Sequence, residues 1–288
     1  MDLAAVVTVQ ILYAVASLAL ASIGLAIIFG MMGVINFAHG EFLMMGGYAF
    51  ILSVGAGVNF WLAMLVVAPL TVAAIGVVVE RLIIRYLYGR VIETMLATWG
   101  LSLFLTGLAA TVLGYHQKGV AAPFGTFAIG AYREGGYTFF VIGMAIAILA
   151  LVYIGLRHTR FGLIARGTMQ NAGTAAGLGV DIDRTYAVTF GIGAALSGLA
   201  GAILAPIAGV LPDIGATYVV KAFITVIGGG AVALAGTSSA AALFGTVSQA
   251  VTFISRPVVG EVALLVVAIL LLRLLPNGIT GRYFRRSL

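Results

Sequence analysis

Residues 24–47 read GLAIIFGMMGVINFAHGEFLMMGG. A long apolar run is broken by Asn36, His39 and Glu41 and then resumes without pause. Moving an ionisable side chain to the centre of a bilayer costs about 2.5–3.5 kcal/mol on insertion scales, so such groups face a protein interior, a wet cavity or the interface. Gly30, Gly33, Gly40, Gly46 and Gly47 bracket the trio, which suits a helix that unwinds or turns where backbone approaches backbone. The stretch predicts a discontinuous segment near residues 30–47 of a membrane protein.

Composition agrees with that setting. Of 288 residues, 62% are hydrophobic and 8% charged, against about 25% charged in an average soluble protein. There are 39 glycines, about twice the usual share of roughly 7%, and small residues let membrane helices pack backbone to backbone. The expectation is all-α: one polytopic transmembrane helical bundle over residues 1–288, without a separate soluble domain. The net charge is +6, yet the basic residues fall in short loops without interleaved aromatics, which argues against a nucleic-acid surface. Cysteine is absent, so disulfide and thiolate chemistry are excluded. Met1-Asp2-Leu3 lacks the positive region of a secretory signal, and the first apolar run is expected to be retained as a span.

A spanning helix needs about 20 apolar residues. Residues 3–35 hold one span with length to spare, which places its break near Gly30–Gly33. Residues 42–79 carry no charge and suffice for two spans, turning at Gly55-Ala56-Gly57-Val58-Asn59, with the second closing at Glu80-Arg81. Residues 94–115 and 137–156 make two more, separated by a polar loop over 116–136. After the long polar stretch 157–184 come a span over 186–205, a loop at 206–212 and two short spans within 222–255. A last one covers 258–275. Of the 15 basic residues, Lys118, Arg133, Lys221 and Arg256 fall on one side and the other eleven opposite. The larger group belongs inside, because short cytoplasmic loops carry the Lys/Arg excess. Counting back from an inner C-terminus gives nine spans and an outer N-terminus, or eight if short segments are re-entrant.

The stretch 34–48, VINFAHGEFLMMGGY, resembles the signature of permease subunits of LIV-type ABC importers, which carry branched-chain amino acids, and of their relatives for urea and short amides. The likeness extends over about residues 18–281. It implies a permease half in a bacterial inner membrane, contacting lipid and partnered by a second homologous permease, two cytosolic ATPases and a periplasmic substrate-binding protein. No cofactor is implied in this chain. ATP would act on the partner subunits, and the sequence agrees: a phosphate-binding loop needs a lysine after glycine, while Lys118 and Lys221, the only two lysines, follow Gln117 and Val220.

The loop RHTRFGLIARGTMQNAGTAAGLGVDIDR, residues 157–184, places Leu163, Ile164 and Met169 among small and basic neighbours. That pattern predicts a short amphipathic helix over about 161–176, stopped at Gly177 or Gly179. It resembles the family's cytoplasmic segment through Phe161-Gly162, Arg166, Asn171 and Gly179-Val180-Asp181. The resemblance makes Phe161, Gly162, Arg166, Asn171 and Gly177 the surface that couples to the ATPase. A charged face lying on anionic headgroups is the plainer alternative.

Asn36, His39, Gly40 and Glu41 are likewise open to two readings: a solvated interfacial loop, or a helix break on the translocation path, as in discontinuous transporter helices. A metal site is disfavoured, since no H-E-x-x-H spacing occurs and only His116 and His158 remain, with His116 expected on the opposite side. Gly193, Ser197 and Gly201 recur every fourth residue and read as close packing. Lys221 reads as an anchor at the outer end of a span. In many amino-acid permeases Gly-Ser follows the glycine run, whereas here Gly228-Gly229-Gly230 continues Ala231-Val232-Ala233. That departure, with residues 87–90 and 93–100, looks more like the urea and short-amide branch. Leu275 also replaces an arginine of the family's Arg-Pro-x-Gly-Leu. Two rivals stand beside the permease: a self-sufficient channel or secondary carrier, and, with least support, an intramembrane enzyme.

Overall fold

The computed structural model describes residues 2–130, 132–230 and 232–284. Met1, Ala131, Ala231, Arg285 and Arg286, which enter the reading above, lie outside the described residues. The helices are α1 (Asp2–Met32), α2 (His39–Gly55), α3 (Phe60–Leu62), α4 (Ala68–Leu82), α5 (Val91–Leu113), α6 (Gly136–His158), α7 (Arg160–Gln170), α8 (Ala172–Gly177), α9 (Ile182–Ala208), α10 (Ile214–Gly229), α11 (Ala233–Ile254), α12 (Pro257–Leu274) and α13 (Gly278–Phe284). A hairpin of β1 (Thr126–Ile129) and β2 (Tyr132–Gly135) interrupts the helical order, pairing Thr126 with Gly135 and Ile129 with Tyr132. The sequence reading had only a polar loop there.

Six helices among the described residues are long and apolar enough to cross a membrane, and seven if α10 and α11, sharply bent at a short break, count as one span. The expected nine is reached only by adding α2 and counting both arms of the bent pair. At 17 residues, α2 is about 25 Å long, short of a hydrocarbon core about 30 Å thick. α3 and α4 run as one helix through a π turn at Ala63–Val67. Pro69 explains the widened turn, because its ring would clash with the carbonyl of residue 65 in a regular α-helix.

The chain divides into two compact units. One comprises residues 1–22, 121–149 and 221–288. Its core joins Leu18 to Ala240, Ala241 and Phe244 of α11 and to Leu264, Ala268 and Leu271 of α12. Here α1 starts against the hairpin: a Cβ at Gly130 would lie 1.9 Å from Asp2 Oδ2, and Gln10 Nε2 donates to Glu134 Oε1 at 2.9 Å. Lys221 is the eighth residue of α10 rather than its outer end, and pairs with Glu261 at 2.6 Å. The helix begins earlier than expected because the neutral stretch 214–220 continues it. In the same unit Thr280 closes the bend between α10 and α11, donating to Gly229 O at 2.7 Å and accepting from Val232 N at 3.2 Å.

The other unit comprises residues 23–120 and 150–220. Ile28, Val34, Phe42, Val72, Val79, Phe190 and Ala194 form its core, with the Phe42 and Phe190 rings edge to face at 5.9 Å. α9 is the central post, packing against both α2 and α4. Its small residues allow this, since a Cβ at Gly46 would lie 2.1 Å from Gly198 O. The small-residue stripe thus has the packing role read from its spacing. α5 is the contrast: it buries little in this chain and presents Ile92, Trp99, Leu103, Phe104 and Val112 outward.

Candidate functional site

α1 ends at Met32 and α2 starts at His39, leaving Gly33–Ala38 as an irregular link inside the second unit. Gly33 makes the turn at φ +64°, a conformation L residues rarely adopt. Asn36 caps the link locally: its Oδ1 accepts from Ala38 N at 3.0 Å and its carbonyl from His39 N at 3.2 Å. Thr98 of α5 accepts from Phe37 N at 3.1 Å. Asn36, His39 and Glu41 are 0–1% exposed, so the geometry does not match a solvated loop.

Their partners come from the interiors of long helices rather than from helix ends. Ser197 Oγ lies 3.2 Å from His39 Nδ1 and 2.8 Å from Gly193 O. With the hydroxyl proton given to the Gly193 carbonyl, His39 Nδ1–H donates to Ser197. Thr106 of α5 donates to Glu41 Oε1 at 3.2 Å. Gly40 permits the close approach beside it, because a Cβ there would lie 2.0 Å from Gly215 O at the start of α10. The predicted quartet is therefore brought together at one place.

A paired serine and histidine invite comparison with a nucleophile and its base. The surroundings contradict that role: Ser197 is fully buried, its proton is committed to its own helix, and a Cβ at Gly24 would fall 2.3 Å from its Oγ. Substrate has no room at the oxygen. Among the described residues no group of three or more His, Cys, Asp or Glu could hold a metal ion.

Glu80, read as the polar close of a span, is instead 1% exposed in the last turn of α4. The Tyr88 hydroxyl donates to Glu80 Oε1, and the Tyr88 ring packs on Tyr186 at 4.9 Å. Burial first, and then this hydrogen bond, push the Tyr88 phenol above its ordinary range.

The second predicted group lies on α7 and α8. A single helix over 161–176 is not what forms. Asn171 ends α7 at φ −157°, and its side chain accepts from Thr174 N at 2.8 Å, starting α8, which closes at Gly177. Gly162 packs on the end of α6, where a Cβ would meet Leu156 O at 2.2 Å, and Thr159 caps α7 by accepting from Gly162 N. The inward stripe is small, Gly162, Ala165 and Thr168, while Leu163, Met169 and Leu178 are exposed. Phe161 is half-buried, and Arg166, Asn171 and Gly177 are exposed. Arg166 Nε donates to Gly162 O, at 3.2 Å. Phe161, Ile164, Leu178, Val180, Arg184 and Val188 line an open groove of about 330 Å³.

A family model described as "Branched-chain amino acid transport system / permease component" matches residues 7–275. The branched-chain amino acid permease LivH of Salmonella typhimurium is 29% identical over 281 residues, covering 92% of this chain and 91% of that protein. BraD of Pseudomonas aeruginosa is 31% identical over 283 residues, with the same coverage. A probable LivH of Methanocaldococcus jannaschii is 26% identical, covering 92% and 88%. A solved chain of PsaBC from Streptococcus pneumoniae, in complex with Fab, aligns over 97% of this chain and 94% of its own at 17% identity and a TM-score of 0.48. The chain is thus a multi-pass inner-membrane protein and a transport component rather than an enzyme. It belongs to the family of branched-chain amino acid ABC transporter permeases.

Proposed function

We infer that this chain is one permease half of an ABC importer that moves a small zwitterionic solute, of the branched-chain amino acid type, inward. A second permease completes the path, a periplasmic binding protein delivers cargo, and two cytosolic ATPases bind and hydrolyse ATP, so this chain needs no cofactor of its own. The observation that carries the reading is the family match over residues 7–275, with relatives named for branched-chain amino acid transport. The buried break at Asn36, His39, Gly40 and Glu41 is its place on the translocation path. The outward apolar side chains and open groove of α7 and α8 support an ATPase-docking role for Phe161, Gly162, Arg166, Asn171 and Gly177. A channel acting alone has no such observation in its favour.

Urea or a short amide is the second cargo reading, and residues 87–90, 93–100 and 231–237 favour it by resemblance. Thermal shift of the cognate binding protein with leucine, isoleucine, valine, urea and acetamide separates the two. Stabilisation by the branched amino acids is expected. Stabilisation by urea or acetamide alone would replace them as cargo.

A further inference from the structure

Two buried polar atoms at the restart of α2 have no hydrogen-bond partner among the described residues: Glu41 Oε2 and Asn36 Nδ2. One is an acceptor and the other a donor. The Asn36 carboxamide is oriented by its own link, because Oδ1 is the atom that can accept from Ala38 N, leaving the NH2 as the spare group. The Glu41 carboxylate is oriented by Thr106, which donates to Oε1 and leaves Oε2 spare. Nearby hydroxyls are committed elsewhere: Ser197 donates to Gly193 O and Thr98 to Thr94 O. The ion pairs of the described residues, Arg85 with Asp183 and Lys221 with Glu261, do not include Glu41. Buried polar groups left unmet are costly and call for an explanation, and a ligand carrying both missing halves supplies one.

We propose that the restart of α2 is a transit point for a zwitterion, with the Glu41 carboxylate receiving the cargo's ammonium group and the Asn36 carboxamide donating to its carboxylate. This rests on the permease reading above and assigns atoms to it. Both groups are buried in this conformation, and Glu41 is further held by Thr106 beside the Gly40 contact with Gly215. Cargo reaches them when α5 or the start of α10 withdraws. One acceptor and one donor make a weak site, which suits a carrier: a ligand held equally well in both states shifts neither.

The test uses the complete importer in proteoliposomes, with this chain, its partner permease, ATPases and binding protein, and radiolabelled leucine. Glu41→Gln keeps the volume and an acceptor for Thr106 while removing the charge. It should cut ATP-dependent uptake by about tenfold or more, the scale of a lost charge-assisted hydrogen bond, and Asn36→Ala should also reduce uptake. Near wild-type leucine uptake by Glu41→Gln would overturn the proposal while leaving the permease reading intact. Absence of uptake by the wild-type importer would overturn both.

A measurement on the unaltered complex covers the case in which the variants fail to assemble. Labelling of Glu41 by a hydrophobic carbodiimide, mapped by mass spectrometry against Glu80 as internal reference, should slow when leucine is being transported. Equal labelling with and without leucine would contradict the proposal. Equal protection by sodium chloride without leucine would do so too, by assigning the carboxylate to an inorganic cation.

Discussion

Gly40 has no space for even a methyl group, since the added carbon would lie 2.0 Å from the Gly215 carbonyl oxygen. Gly40→Ala must push α2 off α10, and overpacking of this kind costs about 1–3 kcal/mol. Thermal melting of the detergent-purified protein should fall by several degrees, and an unchanged melting temperature would refute the contact. The exposed pair of Arg85 with Asp183 is the opposite case. Its side chains are 48% and 56% exposed, so Asp183→Asn should change stability by no more than about 1 kcal/mol, within the range for surface ion pairs. Asn36, His39 and Glu41 were legible because each is a polar exception in an apolar run. Their partners were harder to read, although a signal was present: Thr94, Thr98, Ser102 and Thr106 recur every fourth residue along α5. That spacing puts four hydroxyls on one side of a helix, and two of them, Thr98 and Thr106, meet the break. Ser197 was read from its small neighbours as packing alone, because nothing local announces a histidine 158 residues away.

At the scale of elements, the long spans α5, α6 and α12 follow long, mostly apolar runs, and their ends fall within a few residues of the sequence reading. The hairpin β1–β2 was missed because four-residue strands carry too little alternation to register, even with Gly130 at the turn. The polar stretch 157–184 was read as one helix because the intrinsic preferences of its residues permit continuation. Asn171 decides otherwise, since a side chain that caps the next helix competes with the backbone of the present one. α7 then turns small residues inward and leaves Leu163 and Met169 outward, the reverse of a helix seated on its own chain. Arg166 stands exposed on that outward surface. Arg166→Glu should weaken co-purification of the ATPase subunits by about tenfold, the scale of one lost or reversed charge contact at an interface. The protein's melting temperature should barely change, because Arg166 is exposed and its hydrogen bond among the described residues is to Gly162 O of its own helix. Normal ATPase association in this variant would remove the coupling role.

For the whole molecule, membrane residence was plain from 62% hydrophobic residues and 8% charge, while the number of crossings was not. Hydropathy counts apolar length, and it cannot tell a full span from α2, which begins at a buried break, or from α10 and α11, which bend between Gly229 and Val232. The deciding features are local contacts such as the backbone approach of Gly40 to Gly215 and the Thr280 hydroxyl clasp on Gly229 O, both invisible to a sliding window. On the proposed function, cargo moves by alternation between states, and ATP hydrolysis on partner subunits drives it. The most direct measurement is therefore leucine flux into proteoliposomes that contain either this chain alone or the assembled importer with its binding protein. The account predicts no flux from the chain alone and ATP-dependent uptake by the assembly. Leucine flux through the isolated chain without ATP would contradict it.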